Sequence, residues 1–259
     1  MLKLFAAIAV SSLLLSACVG GPSRMPRDRI ERALVGAPGL AQPSRVVATE
    51  LEFARAAKTD GLASASLDFA GPNAVLHGRN GPVPARLALA ASGTAGDAGT
   101  GAVDWSPRAV VMSCDGSLAV SQGRFREPSG VVGNYVTVWQ RVNDTEYRWI
   151  YDVAGPDVPQ PPPRNLSDAP EGIITVEALD SVQGFVAICP RAGQGLTRPP
   201  EVTAIGQQPR GEITSRDGTL RWRWEHRADG TKYIAADYFT AAGWETAIEE
   251  GLSSPLEDD

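Results

Sequence analysis

The sequence predicts an α+β protein, with N-terminal helices packed on an antiparallel sheet and a smaller, mostly β C-terminal region behind them. Three observations carry this. Helical apolar spacing is confined to the chain before about residue 91. From Val103 onward, short runs of β-branched and aromatic residues alternate with polar ones between glycine turns. A proline-rich stretch, residues 156–170, divides the strand-rich sequence in two. Helices first and strands afterwards is the order of an α+β domain rather than a βαβ repeat. The 259 residues, 43% hydrophobic and 21% charged, suffice for one large or two small domains with cores of their own.

Residues 1–17 have the form of a secretion signal. Lys3 supplies a positive charge, and Leu4 to Leu15 form an apolar run broken only by Ser11 and Ser12. That run is shorter than the roughly 20 residues a membrane-spanning helix needs. It ends in Leu15-Ser16-Ala17-Cys18, which resembles the lipobox of bacterial lipoproteins. The resemblance implies cleavage before Cys18, a diacylglyceryl group on its thiol and an acyl chain on its new amino group, together a firm membrane anchor. It also implies a protein of the cell envelope facing the periplasm. Val19 stands where inner-membrane retention usually shows Asp, which points to the outer membrane. An ordinary cleaved signal followed by a coincidental cysteine is the alternative.

Residues 18–43, rich in Gly, Pro and Arg, form a tether. A helix is expected from Ser44 as N-cap, with Val47, Leu51 and Ala54 recurring beside Phe53 and Gly61 as its stop. A second helix spans Leu62 to Phe69, closed by Gly71-Pro72. A brief strand over Val75 to His77 and a turn at Gly78 to Gly81 follow, then a third helix from Pro84 to Ala91. Gly93 to Gly101 has the glycine content of a phosphate-cradling loop, but no Lys-Ser/Thr pair closes it, so it is expected to be a plain loop.

Strands are expected over Val103 to Trp105, Ala109 to Ser113, Leu118 to Phe125, Gly133 to Val142 and Tyr147 to Val153, with Asp115-Gly116 and Asn143-Asp144 as turns. Strict alternation places Tyr135, Thr137, Trp139 and Arg141 on one face of the fourth strand. It places Tyr147, Trp149 and Tyr151 together on one face of the fifth, with Asp152 opposite. After the linker come Ile173 to Leu179, Val182 to Cys189, Glu212 to Ser215, Thr219 to His226 and Thr231 to Tyr238. Trp222, Trp224 and His226 share a face with Leu220, and Arg221, Arg223, Glu225 and Arg227 share the other. The chain from Ala241 is a short helix or a last strand, and residues 251–259 are an acidic tail. The β-rich C-terminal region thus covers residues 171–250.

The helix Glu50-Leu51-Glu52-Phe53-Ala54-Arg55, the strand ending at His77-Gly78 and the corner Trp105-Ser106-Pro107 resemble the nuclear transport factor 2-like (NTF2-like) superfamily. The closing pair Gly133-Asn134-Tyr135-Val136-Thr137-Val138-Trp139 and Tyr147-Arg148-Trp149-Ile150-Tyr151-Asp152 carries the same resemblance. This superfamily includes SnoaL-like and ketosteroid isomerase-like proteins. The likeness covers residues 44–155 and implies a curved sheet wrapped on helices around a cone-shaped pocket. Residues beyond 170 resemble no family.

Such a pocket admits acid/base chemistry, for which the candidates are His77, Asp104 and Asp152. Each has a plainer reading: His77 as a satisfied histidine at a strand end, Asp152 as a rim charge, and Asp104 as a solvated turn residue. Tyr135 and Trp139 are expected to line the pocket or its core, and His226 to pack within the tryptophan stripe. With Cys18 acylated, Cys114 and Cys189 remain. An envelope compartment allows them to pair across the two halves, and each also flanks a strand-like run where a lone buried cysteine is common.

The two histidines lie far apart in sequence, with no HExxH or paired-cysteine spacing, so no metal or other cofactor is implied. No G-x-S-x-G elbow is present. The net charge of −6, which becomes −7 once Lys3 is removed with the signal, argues against nucleic acid. The arginine face of Thr219 to Arg227 is either a solvated face or a surface for acidic lipid or glycan. Three functions compete. The first is non-enzymatic binding of a small apolar ligand or an envelope protein partner, with a second copy docking through the sheet as one form of partner. The second is an isomerase-, dehydratase- or hydrolase-like enzyme using His77 with Asp104 or Asp152. The third is an assembly role, which predicts an exposed apolar patch at Trp222 and Trp224.

Overall fold

Helix α1, Pro43–Asp60, begins one residue before the expected start. Proline's fixed φ and missing N–H suit the first helical position, so Gln42 rather than Ser44 flanks it. Its buried residues, Val46, Glu50, Phe53 and Ala57, recur at steps of four, three and four, one face of a 3.6-residue helix. The expected stripe of Val47, Leu51 and Ala54 is therefore displaced by one position, and Leu51 is exposed. A computed structural model of the chain describes residues 41–91, 103–162, 181–190, 195–201 and 208–254. The expected signal, Cys18 and nearly all of the expected tether, residues 93–101 where a plain loop is expected, the strand expected at Ile173 to Leu179 and the last residues of the expected tail lie outside the described residues. No helix among the described residues is long and apolar enough to cross a membrane.

Helix α2, Leu62–Phe69, leads directly into β1, Ala70–Gly78, which is much longer than the expected Val75 to His77 because it continues through Gly71-Pro72. A short β2, Gly81–Pro84, takes up the proline expected to open the third helix, and α3 starts one residue later as Ala85–Ala91. The two strands expected between Val103 and Ser113 are one, β3, Asp104–Met112, with its irregularity at Pro107/Ala109. Then follow β4 (Leu118–Arg126), β5 (Val132–Arg141), β6 (Tyr147–Pro156) and β7 (Gln183–Val186). The last four strands are β8 (Arg210–Thr214), β9 (Leu220–His226), β10 (Lys232–Thr240) and β11 (Gly243–Leu252). The chain after Ala241 is thus a strand, and it takes in the first two residues of the expected tail.

Two sheets result among the described residues: a seven-stranded one in the order β2-β1-β6-β5-β4-β3-β7 and a four-stranded antiparallel one in the order β11-β10-β9-β8. The first is mixed, because β1 pairs in parallel with β6 and β3 with β7. The strand expected to belong to the C-terminal region, β7, therefore extends the first sheet, and the proline stretch does not separate two bodies of structure. The protein is layered. Helices cover one face of the seven-stranded sheet, around Val46, Phe53, Met112, Trp139, Tyr147 and Trp149. The four-stranded sheet covers the other face, around Val120, Val136, Val138, Tyr151, Trp222 and Ile234. Trp222 is only 1% exposed, so the expected apolar docking patch is instead the inside of this sandwich.

One bulge decides which side chain enters which core. Val138 pairs with Tyr151 but Trp139 pairs with Trp149, leaving Ile150 as an extra residue in β6. Beyond it the alternation inverts. Tyr147 and Trp149 face the helices, whereas Tyr151 and Val153 face the second sheet. The expectation that Tyr147, Trp149 and Tyr151 share a face fails at that residue, and Asp152 moves to the helix side.

The two meanders repeat a turn. Ser113-Cys114-Asp115-Gly116-Ser117-Leu118 joins β3 to β4, and Ser215-Arg216-Asp217-Gly218-Thr219-Leu220 joins β8 to β9. Both close with an N–H of the first serine on the leucine carbonyl and an N–H of the glycine on the serine carbonyl. Gly116 and Gly218 take φ of 65° and 73°, the left-handed region that a side chain disfavours. The turns also grip one another. Cys114 N donates to Thr219 Oγ1 (2.9 Å) and Asp115 N to Asp217 Oδ2 (2.8 Å), while Arg216 N donates to Ser117 Oγ (3.3 Å). A disulfide joins Cys114 to Cys189, just past β7, with Cα atoms 5.1 Å apart. It links neighbours at the edge of the first sheet.

Candidate functional site

Two buried polar clusters lie on opposite faces of the seven-stranded sheet. On the helix side, α1 carries Glu50 into the core, where it is 1% exposed. The Tyr135 hydroxyl on β5 donates to Glu50 Oε1, while Glu50 Oε2 has no hydrogen-bond partner among the described residues. Thr137 Oγ1 donates to Asp152 Oδ1 (2.6 Å), and Trp139 Nε1 to Ser121 Oγ (2.9 Å). Burial pushes the Glu50 carboxyl up to about 7, against the pull of the Tyr135 and Ser121 hydroxyls and with a further push from the Asp152 charge. Burial likewise raises Asp152 to about 6, opposed by the Thr137 hydroxyl. Tyr135 is held well above its ordinary value, first by burial and then by Glu50. The arrangement holds a proton near neutrality in an otherwise apolar layer.

Between the sheets, the two histidines of the chain meet although 149 residues separate them. His77 Nε2 lies 2.9 Å from His226 Nδ1, and the Tyr151 hydroxyl bonds His77 Nδ1. If Tyr151 donates, His77 carries its proton on Nε2 and gives it to His226; the opposite tautomers would leave the Tyr151 hydroxyl without an acceptor. Trp224 stacks edge-on against His77 at 5.2 Å between ring centroids. Lys232, 1% exposed, places Nζ 2.7 Å from the Ala154 carbonyl. Burial pushes His77 down to about 4, with His226 and Lys232 adding to the effect, and burial takes Lys232 down to about 8.

The sequence-derived candidates are therefore dispersed. His77 lies between the sheets and Asp152 on the helix side. Asp104 sits at the exposed start of β3, ion-paired with Lys58. Neither expected pairing, His77 with Asp104 or His77 with Asp152, is assembled. Tyr135 and Trp139 are buried and bonded to protein groups, and together with Phe53, Trp149 and Val46 they fill the space between helices and sheet. His226, half-buried at the end of β9, bonds His77, with the two rings 5.1 Å apart. Sequence reasoning missed Glu50, whose signal was an acid four residues after Val46 and three before Phe53 on one helical stripe. It also missed Lys232. Among the described residues no cluster of three or more His, Cys, Asp or Glu is placed to hold a metal.

The outer face of the four-stranded sheet has an open cleft of about 660 Å³. Arg221 and Arg223 form its floor. Arg221 reaches Asp237 Oδ2 through Nε (3.1 Å) and Nη2 (2.7 Å), and Arg223 Nε reaches the same oxygen at 3.2 Å. Asp237 is held below its ordinary value by these guanidinium groups and the Thr246 hydroxyl, although burial works the other way.

The described residues define an α+β protein in which a mixed sheet carries helices on one face and a second, antiparallel sheet on the other. The chain is similar to a solved NTF2-like protein from Cytophaga hutchinsonii, at 12% identity and a TM-score of 0.34, over 45% of this chain and 99% of that one. No protein-family model matches the chain, and no curated protein matches it.

Proposed function

We propose that this chain is an envelope lipoprotein, anchored through acyl chains on Cys18 and facing the periplasm from the outer membrane, that works by binding rather than by catalysis. The helix-bearing half is taken to be of the cone-shaped NTF2-like kind. The observation that carries the binding reading is the dispersal of the candidate catalytic residues, with His77 and Asp152 on opposite faces of one sheet and Asp104 at the surface. A catalytic acid and base must reach one reacting atom within hydrogen-bond distance, and these cannot. The Cys114–Cys189 disulfide supports an oxidising compartment.

The anchor is tested by metabolic labelling with an alkyne palmitate. Wild type should be labelled and found in the membrane fraction, and Cys18→Ser should be neither; an unlabelled wild type would overturn it. Binding is tested by native mass spectrometry of the chain purified from its own membrane, where a stoichiometric small molecule or protein supports the reading. A second reading rests on the unpartnered Oε2 of Glu50 beside Asp152 and Tyr135. A carboxyl poised near neutrality there suits proton transfer to a ligand admitted by movement of α1. In that case Glu50→Gln should abolish turnover while leaving ligand affinity nearly unchanged.

A further inference from the structure

We propose that the cleft on the outer face of the four-stranded sheet is a site for an oxyanion, a phosphate or carboxylate carried by a soluble molecule or by a lipid headgroup. This deepens the binding reading and does not depend on the anchor.

The argument starts from charge balance at the cleft floor. Two guanidinium groups, Arg221 and Arg223, share one carboxylate, Asp237, and share even the same oxygen of it. The side chains are 8%, 17% and 6% exposed respectively, so the floor carries an excess positive charge with little water to solvate it. Glu212 is 4.0 Å from Arg221 and its side chain is 63% exposed, too loose to cancel the excess. Asp237 is itself fixed by Thr246 Oγ1 at 2.8 Å. The guanidinium planes are thus held in place before any ligand arrives, which lowers the entropy cost of binding one.

At the rim, Arg198 and Arg210 are exposed, and neither has a hydrogen-bond or ion-pair partner among the described residues. Tyr233 closes one side, with Arg223 and Arg227 stacked over its ring at 5.4 and 4.6 Å. Four guanidinium groups therefore line one concavity together with three glutamates, and with Asp237 beneath them the charges balance overall, so the positive excess is confined to the floor. Guanidinium forks match the paired oxygens of phosphate and carboxylate. The three glutamates of the lining, Glu201, Glu212 and Glu225, keep the cleft from attracting anions at long range and favour one that reaches the floor.

The repeated turns sharpen the point. The first meander buries its corresponding outward face under α1, with Ser121 and Thr137 on it. The second meander carries Arg223 and Ala235 at the positions of Ser121 and Thr137, and Arg221 and Asp237 at those of Ala119 and Trp139, and among the described residues no helix covers them. An apolar cover suits the first face. The second is built for charge.

The test uses the full chain in detergent, titrated calorimetrically with inorganic phosphate and with dihexanoyl phosphatidic acid. Flotation with phosphatidylcholine vesicles, with and without phosphatidylglycerol, completes it. The Arg198→Gln/Arg210→Gln variant alters only exposed side chains without partners among the described residues and should fold normally. Arg223→Gln probes the floor, and Arg86→Gln, on α3, is the control. Losing one charge-assisted contact should raise the dissociation constant by about tenfold or more in each cleft variant, with Arg86→Gln unchanged and added salt weakening binding throughout. Arginine-dependent binding of phosphate alone indicates a soluble ligand, and arginine-dependent binding only of phosphatidic acid or phosphatidylglycerol vesicles indicates a headgroup; both support the site. No binding of any probe, or binding that Arg86→Gln weakens as much as the cleft variants do, overturns it.

Discussion

Among the described residues, the layer between the helices and the seven-stranded sheet holds two carboxyls, the buried Glu50 and the half-buried Asp152, whereas the layer between that sheet and the second one holds two nitrogen bases, His77 and Lys232. Both layers are dry, so each favours the uncharged form of what it holds. For acids that means keeping a proton, and for bases it means releasing one. One sheet therefore has two faces that respond to pH with opposite signs, and the two cores are separable in a way that their shared strands conceal.

The largest test of that separation is to open each core. Trp139→Ala on the helix side and Trp222→Ala between the sheets should each cost about 3–5 kcal/mol, both tryptophans being almost fully buried. If the layers melt together, both variants show one calorimetric transition at lower temperature. A second transition in Trp222→Ala alone would show the four-stranded sheet coming away by itself.

Next in size is the disulfide, which closes a separation of 75 residues. Replacing Cys114 and Cys189 by serine should lower stability by about 2–4 kcal/mol in denaturant titrations. Because Cys114 lies in the turn that grips Thr219, the loss should fall on the sheet–sheet layer. Unchanged protection of β9 amides from hydrogen exchange would break that link.

The pH responses come third. The unfolded Glu50 carboxyl loses its proton near 4.5 and the folded one near 7, so stability should fall as pH rises through that window. Glu50→Gln should remove its own share of the fall, about 3 kcal/mol at pH 8, and leave the smaller share of Asp152. His77 has the opposite sign. The unfolded ring takes a proton near 6.5 and the folded one only near 4, so stability falls as pH drops between them. In wild type the two slopes oppose each other between about 4.5 and 6.5. Thermal melts of Glu50→Gln should reveal the acid loss, and those of His77→Asn the loss toward neutrality. Parallel profiles for the two variants would end the comparison. The smallest effect is expected at the surface pair: Lys58→Ala should change stability by less than about 0.5 kcal/mol, both partners being more than half exposed.

Much of the strand order was legible because turns carry strong local signals. Asp115-Gly116, Asn143-Asp144, Asp217-Gly218 and Asp229-Gly230 each separate two real strands. The candidate site was far less legible. Glu50 looks like any helical glutamate until the stripe is known to run through Val46 and Phe53. Asp104 and Asp152 differ in burial only because one begins an edge-exposed segment and the other follows the Ile150 bulge.

By itself the sequence determined what depends on near neighbours: the helices, the hairpins with their glycine turns, the alternation within each strand, and the arginine and tryptophan faces of β9. Only the tertiary structure decided what depends on pairing across distance. It placed β7 in the first sheet, inverted β6 at Ile150, brought His77 to His226, and set acids on one face and bases on the other. The reason is physical. Local propensity acts over a few bonds, whereas register, bulges and burial are settled by which distant strands pair, and a shift of one residue there turns a side chain from one core to the other.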